Sequence, residues 1–325
     1  MDLFARRLAK DKALRSAFVE GLGRIEEAAG GQVSIFEELY MLRLHEARDY
    51  LRARLQILPE RLVILGSGLG AFASKLEDRQ IIHYRDIPHF PRSGVKGHAG
   101  DLVVGTVRGH PVAVMRGRVH YYEGWPAQYV AFGVRALGLL GSLKTLVVTN
   151  AAGAIRQDVA PGEIVLLNNH INLSGQNPSR GLKNVELGER FCDMTYPYDK
   201  ALATLVERVA LRNGIMLRKG THGILTGGPS YETAEEIRHL DFAGQGAASM
   251  SVYEVIAARQ LGIKVIGLSL MTNDAAGRPG GASGISHMEV VSKDNRPVAR
   301  GRRNLKNLIF EVLLELQRTE ARSRR

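Results

Sequence analysis

Short, continuous apolar runs separated by helix-like segments constrain the fold of this chain most. The runs 62–65, 146–149 and 265–270 lack the alternation of a strand with one face in water. Strands that are apolar on both faces are typical of sheets covered by helices on both sides. Segments such as 202–211 and 252–261 have helical periodicity and lie between the apolar runs. The pattern therefore predicts an α/β fold.

Two runs around residues 108–110 predict a hairpin, so antiparallel strands should make the central sheet mixed. A helix is expected from Ser34, with Glu37 in the capping-box position, and a basic helix is expected over 302–317. No low-complexity linker or solenoid repeat divides the chain. We therefore expect residues 34–325 to form a single-domain three-layer α/β/α structure with a central mixed β-sheet. Residues 1–33, interrupted by glycines, are expected to be a weakly helical or disordered N-terminal appendage.

Composition narrows the classes of partner and compartment. The formal net charge of +11 over 325 residues makes nucleic-acid binding a hypothesis to test. However, part of the excess lies in the C-terminal Arg-Ser-Arg-Arg, and the few aromatic residues are not interleaved with basic ones, so we expect no nucleic-acid partner. The single Cys192 excludes an intramolecular disulfide and a Cys-based zinc cluster. Without a signal-peptide pattern or an apolar run of about 20 residues, we expect a cytoplasmic protein without membrane association.

The glycine loop 66–70, Gly-Ser-Gly-Leu-Gly, follows a predicted strand and has three interpretations. With Asp86 about twenty residues further on, it satisfies a relaxed dinucleotide fingerprint and could belong to a nicotinamide-dependent oxidoreductase. It could also bind phosphate through the Ser67 hydroxyl and backbone N–H groups, or be a structural turn. No Gly-Lys-Ser/Thr follows, which excludes a P-loop.

Two further segments carry groups suited to an oxyanion. In Gly-Arg-Val-His at 117–120, Arg118 can bind two phosphate oxygens and His120 a third, although alone this segment more often forms a surface turn. His98 lies between glycines at 97–100, which alone indicates only a turn. The histidines of the N-terminal half match no metal-ligand spacing, so no metal site is expected.

Polar groups after two apolar runs indicate where a ligand would lie. Thr-Asn at 149–150 and at 272–273 ends predicted strands, and open α/β sheets bind ligands at strand carboxyl ends, although Asn is also common in turns. Tyr231 could stack on a planar ring while Glu232 accepts its N–H groups, or Glu232 could only complement a helix dipole. Ser251 could bind an oxyanion or cap a helix. Because no Gly-x-Ser-x-Gly elbow occurs, these groups favour orienting two small molecules over covalent catalysis.

Taken together, these segments resemble the trimeric purine nucleoside phosphorylase family, to which the methylthioadenosine phosphorylases also belong. The resemblance runs from about residue 62 to residue 291, and ten motifs keep the family's order. They are 66–70, 87–91, 97–100, 117–120, 122–124, 149–153, 170–173, 228–233, 250–251 and 272–273.

The resemblance implies a site for each part of the reaction. Phosphate would be bound by Ser67, His98, Arg118, His120, the backbone N–H of Ala151, and Ser251. Ribose would meet Tyr122, Met250 and His287. The purine would lie against Tyr231 and be held by Glu232 and Asn273, which with His98 would be the catalytic residues. The resemblance implies a homotrimer that needs no cofactor or metal, with inorganic phosphate as co-substrate.

The implied activity is the reversible phosphorolysis of purine (deoxy)ribonucleosides to free base and α-(deoxy)ribose 1-phosphate in purine salvage. Relatives that act on methylthioadenosine have Asp in place of Asn273, and an Asn amide can donate to a 6-oxo group, so inosine and guanosine are expected. The alternative activity is that of a methylthioadenosine or adenosine phosphorylase, because the Asp274 carboxylate could accept a hydrogen bond from an exocyclic amine. The chain departs from the mammalian members at loop 173–178, which is shorter and lacks the phenylalanine lent to a neighbouring subunit. The glycines of 277–284 suggest a lid that leads to His287.

Overall fold

The computed structural model describes residues 35–94, 99–225, 227–242, 245–248, 252–278 and 295–323. The expected appendage 1–33 lies outside them. The helices are α1 (Ile35–Arg54), α2 (Ala127–Val130), α3 (Phe132–Gly138), α4 (Lys200–Arg212), α5 (Ala234–Phe242), α6 (Val252–Gln260) and α7 (Arg296–Ser323). The strands are β1 (Arg61–Leu65), β2 (Glu77–His83), β3 (Asp101–Val107), β4 (His110–Arg116), β5 (Thr145–Ala154), β6 (Ile164–Asn172), β7 (Leu217–Ile224), β8 (Gln245–Ala248) and β9 (Lys264–Asp274).

These strands form one sheet in the order β2-β3-β4-β1-β5-β8-β7-β6-β9, and β9 also pairs with β5. The five strands β5, β8, β7, β6 and β9 therefore close on one another, while the other four extend from β5 as an open sheet. β1 is parallel to β4 and β5, and β3 is antiparallel to β2 and β4. The predicted hairpin and the predicted mixed sheet are both confirmed.

The apolar runs are continuous because helices cover both faces of the sheet. Along β1, Leu62 and Ile64 belong to a core that includes residues of α1, α3 and α6. Val63 and Leu65 point the other way, into a second core with residues of α4 and α7. Successive strand residues face opposite sides, so burial on both sides requires an unbroken apolar sequence. The predicted three-layer α/β/α architecture is confirmed.

Several elements differ from the predicted ones. Strands β2, β7 and β8 were not expected from the sequence pattern. Two short helices, α2 and α3, lie on either side of Ala131. Strands β5 and β9 continue beyond their apolar runs and carry the Thr-Asn pairs within the strand rather than after it. The last helix is longer than expected at both ends.

Helix α1 buries an apolar face that includes Tyr40, Leu44 and Leu51, but this face also contains one carboxylate. Leu42 is 54% exposed, whereas Glu37 is only 4% exposed. The Glu37 carboxylate accepts hydrogen bonds from the backbone N–H groups of Lys183 and Asn184. These bonds compensate for the burial of a charged group, and they tie α1 to the 181–186 segment. Ser34, the expected cap of this helix, is outside the described residues.

A membrane-crossing helix, which needs a long apolar stretch, is not found among the described residues.

Candidate active site

The carboxyl ends of four neighbouring strands meet at one edge of the sheet. β4, β1, β5 and β9 run parallel, with β1 between β4 and β5, and β9 paired to the other side of β5. The segments that follow or end these strands include the glycine loop 66–70, Arg118, Ala151 and Asn273. This is the edge where open parallel sheets bind ligands, so the structure brings these four predicted site segments together.

The glycine loop lies directly against the end of β5. The backbone N–H of Gly66 donates to Thr149 Oγ1 over 2.9 Å, and the Thr149 hydroxyl donates to the carbonyl of Ile64 over 2.8 Å. A Cβ at Gly66 would lie 2.9 Å from the Cα of Asn150, so only glycine fits there. The contact carries the half-buried Ser67 out beside the end of β5.

The structure contradicts the dinucleotide interpretation of this loop. The loop leads into a short 3₁₀ helix, Gly70–Lys75, and then into the edge strand β2. Two strands, β3 and β4, separate β2 from β1, and β2 is antiparallel to its neighbour β3. Asp86 lies in a 3₁₀ turn, Tyr84–Asp86, that follows this edge strand. A dinucleotide site needs a parallel βαβ unit with the acidic residue at the end of its second strand.

Arg118 is a buried cation at the centre of the strand-end cluster. Its side chain is 5% exposed, and one terminal nitrogen donates to the carbonyl of Thr149 over 2.8 Å. Its Nε lies 3.0 Å from Oε1 of Glu254 in α6, whose side chain is 2% exposed. Burial raises the pKa of Glu254, and the charge of Arg118 acts in the opposite direction. The ion pair holds the guanidinium in one orientation beside β5.

His120 is held by Glu123, three residues along the chain. Glu123 Oε1 accepts from the backbone N–H of His120 at 2.8 Å and lies 3.1 Å from the ring Nδ1. Its carboxylate also accepts from the N–H of Gly94 and the hydroxyl of Ser93. Burial acts to raise the pKa of Glu123, but these hydrogen bonds outweigh it and lower the pKa to about 2. With Nδ1 turned to the carboxylate, the other ring nitrogen can face a ligand.

Tyr122 packs against His120. Its ring stacks on the ring of His120 with centroids 4.9 Å apart. Burial first, and then the nearby charge of Glu123, raise the pKa of Tyr122 to about 12, while Arg118 partly opposes this. The electrostatic effect of Tyr231 acts in the same direction as burial. Tyr231 is 43% exposed, which leaves ring surface accessible.

Asn273 lies on the other side of the β5 end. It pairs in register with Gly153, and a Cβ on Gly153 would be 3.5 Å from Asn273 Nδ2. The Thr272 hydroxyl donates to Asn273 Oδ1 over 2.9 Å, while Nδ2 donates to the carbonyl of Asp274 over 2.8 Å. These bonds orient the amide with its oxygen satisfied and one N–H of Nδ2 left to donate to a ligand.

Glu232 is not the cap of helix α5. Thr233 and Glu236 form that cap reciprocally, with the Thr233 N–H donating to the Glu236 carboxylate over 2.7 Å and the Glu236 N–H donating to the Thr233 hydroxyl over 3.2 Å. Burial raises the pKa of Glu232. A hydrogen bond from its own backbone N–H opposes this effect, and the nearby charge of Glu236 adds to it. A partly buried carboxyl beside an exposed aromatic ring is suited to bind the polar edge of a planar ligand.

Four predicted site residues, His98, Met250, Ser251 and His287, lie outside the described residues, as does most of the expected lid. Ala151 lies within β5, in register with Leu270. Among the described side chains, no group of three or more His, Cys, Asp or Glu residues could hold a metal ion.

Two carboxylates of the cluster were not assigned a role from the sequence. Glu123 has a local signal, since it is three residues after His120 and such pairs meet in a turn. Glu254 has none, because an acidic residue in the first turn of a helix normally complements the helix dipole. Only its burial against Arg118 distinguishes it.

Comparison with known proteins supports one family. Residues 60–309 match the model of the Phosphorylase superfamily. Purine nucleoside phosphorylase 1 of Bacillus subtilis is 43% identical over 236 residues, which cover 72% of this chain and 86% of that protein. Purine nucleoside phosphorylase of Bos taurus is 42% identical over 234 residues, covering 70% of this chain and 80% of that protein.

Solved structures agree with the sequence matches. The isoform 2 purine nucleoside phosphorylase of Schistosoma mansoni, in complex with cytosine and ribose-1-phosphate, superposes with a TM-score of 0.77 at 34% identity. The alignment covers 83% of this chain and 95% of that chain. A schistosoma purine nucleoside phosphorylase in complex with hypoxanthine superposes with a TM-score of 0.76 at 33% identity, with the same coverage.

Proposed function

The chain belongs to the purine nucleoside phosphorylase family within the Phosphorylase superfamily, and from that premise we propose that it cleaves inosine and guanosine with inorganic phosphate. The products are the free purine and α-ribose 1-phosphate, or the deoxyribose equivalent. The enzyme is thus a pentosyltransferase of purine salvage whose second substrate is phosphate, and it uses no metal or organic cofactor.

The proposed activity is supported most by two chemically different groups that lie on either side of the end of β5. On one side Arg118, bonded to the carbonyl of Thr149, provides a bidentate cation for phosphate. On the other side Asn273, in register with Gly153, provides an amide for a heterocycle. A nucleoside between them would have its glycosidic carbon between the phosphate and the leaving base.

The chemistry follows from that arrangement. Phosphate held by Ser67, Arg118 and His120 attacks C1′ from one face of the sugar while the purine leaves from the other, so the configuration inverts. The transition state resembles an oxocarbenium ion, and phosphate takes the place of a nucleophilic carboxylate. The backbone N–H of Ala151 with Ser251 and His98 completes the proposed phosphate site, while Tyr122, Met250 and His287 contact the ribose.

The leaving purine becomes negatively charged, and this charge needs a donor. The orientation of the Asn273 amide leaves an N–H that can donate to N7 or to a 6-oxo oxygen. Glu232 accepts N1–H, and Tyr231 covers the ring. A 6-amino group could not accept from that N–H, and adenine has no N1–H to donate to Glu232. The two side chains together therefore favour hypoxanthine and guanine over adenine.

Asp274 does not oppose this preference. Its carboxylate forms an ion pair with Arg278, whose side chain is 9% exposed and also donates to the carbonyl of Gln157 over 3.0 Å. A carboxylate bound to a buried guanidinium is a poor acceptor for an exocyclic amine. The second candidate function is that of an adenosine or methylthioadenosine phosphorylase. Asp274 would favour it only if its carboxylate were released from Arg278. One schistosoma relative has been solved in complex with adenosine.

The test is a panel of inosine, guanosine, xanthosine, adenosine and methylthioadenosine, each incubated with and without phosphate. We expect phosphate-dependent release of base, fastest from inosine and guanosine. Faster cleavage of adenosine or methylthioadenosine would favour the second candidate. Absence of phosphate-dependent release from the whole panel would contradict the proposed activity.

We further propose a homotrimer in the cytoplasm, which follows from family membership and from the composition of the chain. Sedimentation equilibrium of the purified protein should give three times the chain mass of 35.6 kDa. A monomer that retains full activity would contradict the trimer.

A further inference from the structure

The glycine loop contacts an arginine of α7 as well as the end of β5. Gly68 has a φ of +77°, and a Cβ built there would lie 2.8 Å from Nε and 3.3 Å from Cζ of Arg302 in α7. The backbone conformation therefore favours glycine, and a Cβ there would displace the Arg302 side chain. The guanidinium of Arg302 packs on the backbone of the residue that follows Ser67.

Close backbone contacts bring α7 to this position. A Cβ at Gly301 would lie 2.3 Å from the carbonyl oxygen of Gly162, and a Cβ at Gly162 would lie 2.6 Å from the carbonyl of Pro297. Gly162 is itself bonded through its N–H to the carbonyl of Met271 in β9. The first turns of α7 are thus fixed to the strand that carries Asn273, and the position of Arg302 is set by the sheet.

Arg302 differs from the other arginines at this end of the helix. Its residue is 7% exposed, whereas Arg300 and Arg303 are exposed to solvent. Burial lowers the pKa of Arg302 because a desolvated cation is costly. Arg118, which is also buried, lies near the end of β5 and forms an ion pair with Glu254. The glycine loop is thus held against β5 at Gly66 and against Arg302 at Gly68.

On these grounds we propose that Arg302 is a positioning residue for phosphate, an inference that rests on the proposed function. The guanidinium acts through the glycine loop: it holds the backbone of 66–70 between α7 and β5, so that the Ser67 hydroxyl and the loop N–H groups face the anion. The role concerns phosphate and not the purine.

The experiment compares Arg302→Gln, which removes the guanidinium and its charge, with Arg302→Lys, which keeps a charge. The matched control is Arg303→Gln on the exposed face of the same helix. Inorganic phosphate alone is titrated against each protein in a thermal-shift assay, which needs no turnover. KM values for phosphate and for inosine are then measured separately.

For Arg302→Gln we expect the phosphate concentration at half-maximal thermal shift and the KM for phosphate each to rise about tenfold, as for loss of one charge-assisted contact. The KM for inosine should stay within about twofold of wild type. Arg302→Lys should recover part of the loss, and Arg303→Gln should match wild type.

Equal phosphate titrations for Arg302→Gln and Arg303→Gln would overturn the proposal while leaving the proposed function intact. An equal rise in the KM for phosphate and in the KM for inosine would also overturn the proposal, because a general structural defect predicts that result. If wild type shows no phosphate shift, both the positioning role and the phosphate site fail.

Discussion

Arg118 Nε lies 3.0 Å from Glu254 Oε1, and the two side chains are 5% and 2% exposed. The pair joins the segment after β4 to the first turn of α6, and it fixes the direction in which the remaining guanidinium nitrogens point. A bidentate contact with phosphate depends on that direction, so Glu254 acts on phosphate through Arg118 without touching it.

Replacement of Glu254 by Gln tests this relationship. The change keeps the shape of the side chain but leaves Arg118 buried without its counter-charge, so we expect a loss of about 3 kcal/mol in unfolding free energy. The KM for phosphate should rise more than the KM for inosine, because the guanidinium is no longer held in place. Urea unfolding and steady-state kinetics measure the two effects.

The matched control is Glu207→Gln. Glu207 forms an ion pair with Lys219 at the surface, where both side chains are well exposed, so its loss should cost at most about 1 kcal/mol and leave kinetics unchanged. Similar effects of the two variants would show that burial of the Arg118 pair is unimportant.

The hydrogen bonds to Glu123 predict a dependence of stability on pH. The pKa of this carboxyl is lowered from 4.5 to about 2 in the folded protein. A depressed folded pKa stabilises the fold at pH values above about 4.5, and this stabilisation is lost as the pH falls towards 2. The difference in unfolding free energy between wild type and Glu123→Gln should therefore be constant above about pH 5 and shrink as the pH falls from about 4.5 towards 2. A difference that stays constant over the whole range would exclude the predicted contribution.

The orientation of Asn273 predicts two graded losses of turnover. Asn273→Ala removes the donor to the leaving purine and should lower kcat by roughly 10²–10³-fold. Thr272→Val removes only the hydroxyl that orients the amide, so a smaller loss of about tenfold is expected. Neither variant should change the phosphate titration in a thermal-shift assay. If Thr272→Val has wild-type kcat, the hydroxyl does not set the amide orientation.

The ion pair between Arg278 and Asp274 predicts a change of base preference. Arg278→Gln releases the Asp274 carboxylate, which can then accept from an exocyclic amine, so the ratio of adenosine to inosine kcat/KM should rise several-fold. The double variant with Asp274→Asn should lose that gain, since an amide cannot replace the charge. An unchanged ratio in Arg278→Gln would show that Asp274 does not approach the base.

The fold was predictable where burial dictates the sequence. β1, β5 and β9 have apolar runs because both their faces are covered. β2 was missed because it is an edge strand whose residues are mostly exposed and polar, and β7 was missed because Gly220 and Gly223 and its basic residues hide its periodicity. In α1, Glu37 is buried because a distant loop supplies two N–H donors, which helical spacing cannot reveal.

The candidate site was predictable where it coincides with strand ends. The Thr-Asn pairs at 149–150 and 272–273 lie together on the adjacent strands β5 and β9, and family motifs supplied the roles that remain proposals. Glu254 and Arg302 could not be assigned, because their importance comes from burial against Arg118 and Gly68, residues far away in the chain. A charged residue in a helix has the same local pattern whether it faces solvent or a site.

The most direct test of the central claim follows inosine and phosphate together by ¹H and ³¹P NMR in the presence of the purified protein. The arrangement of Arg118 and Asn273 around the end of β5 predicts one molecule of α-ribose 1-phosphate for each hypoxanthine released, with no release when phosphate is omitted. Release of free ribose at a rate independent of phosphate would contradict it.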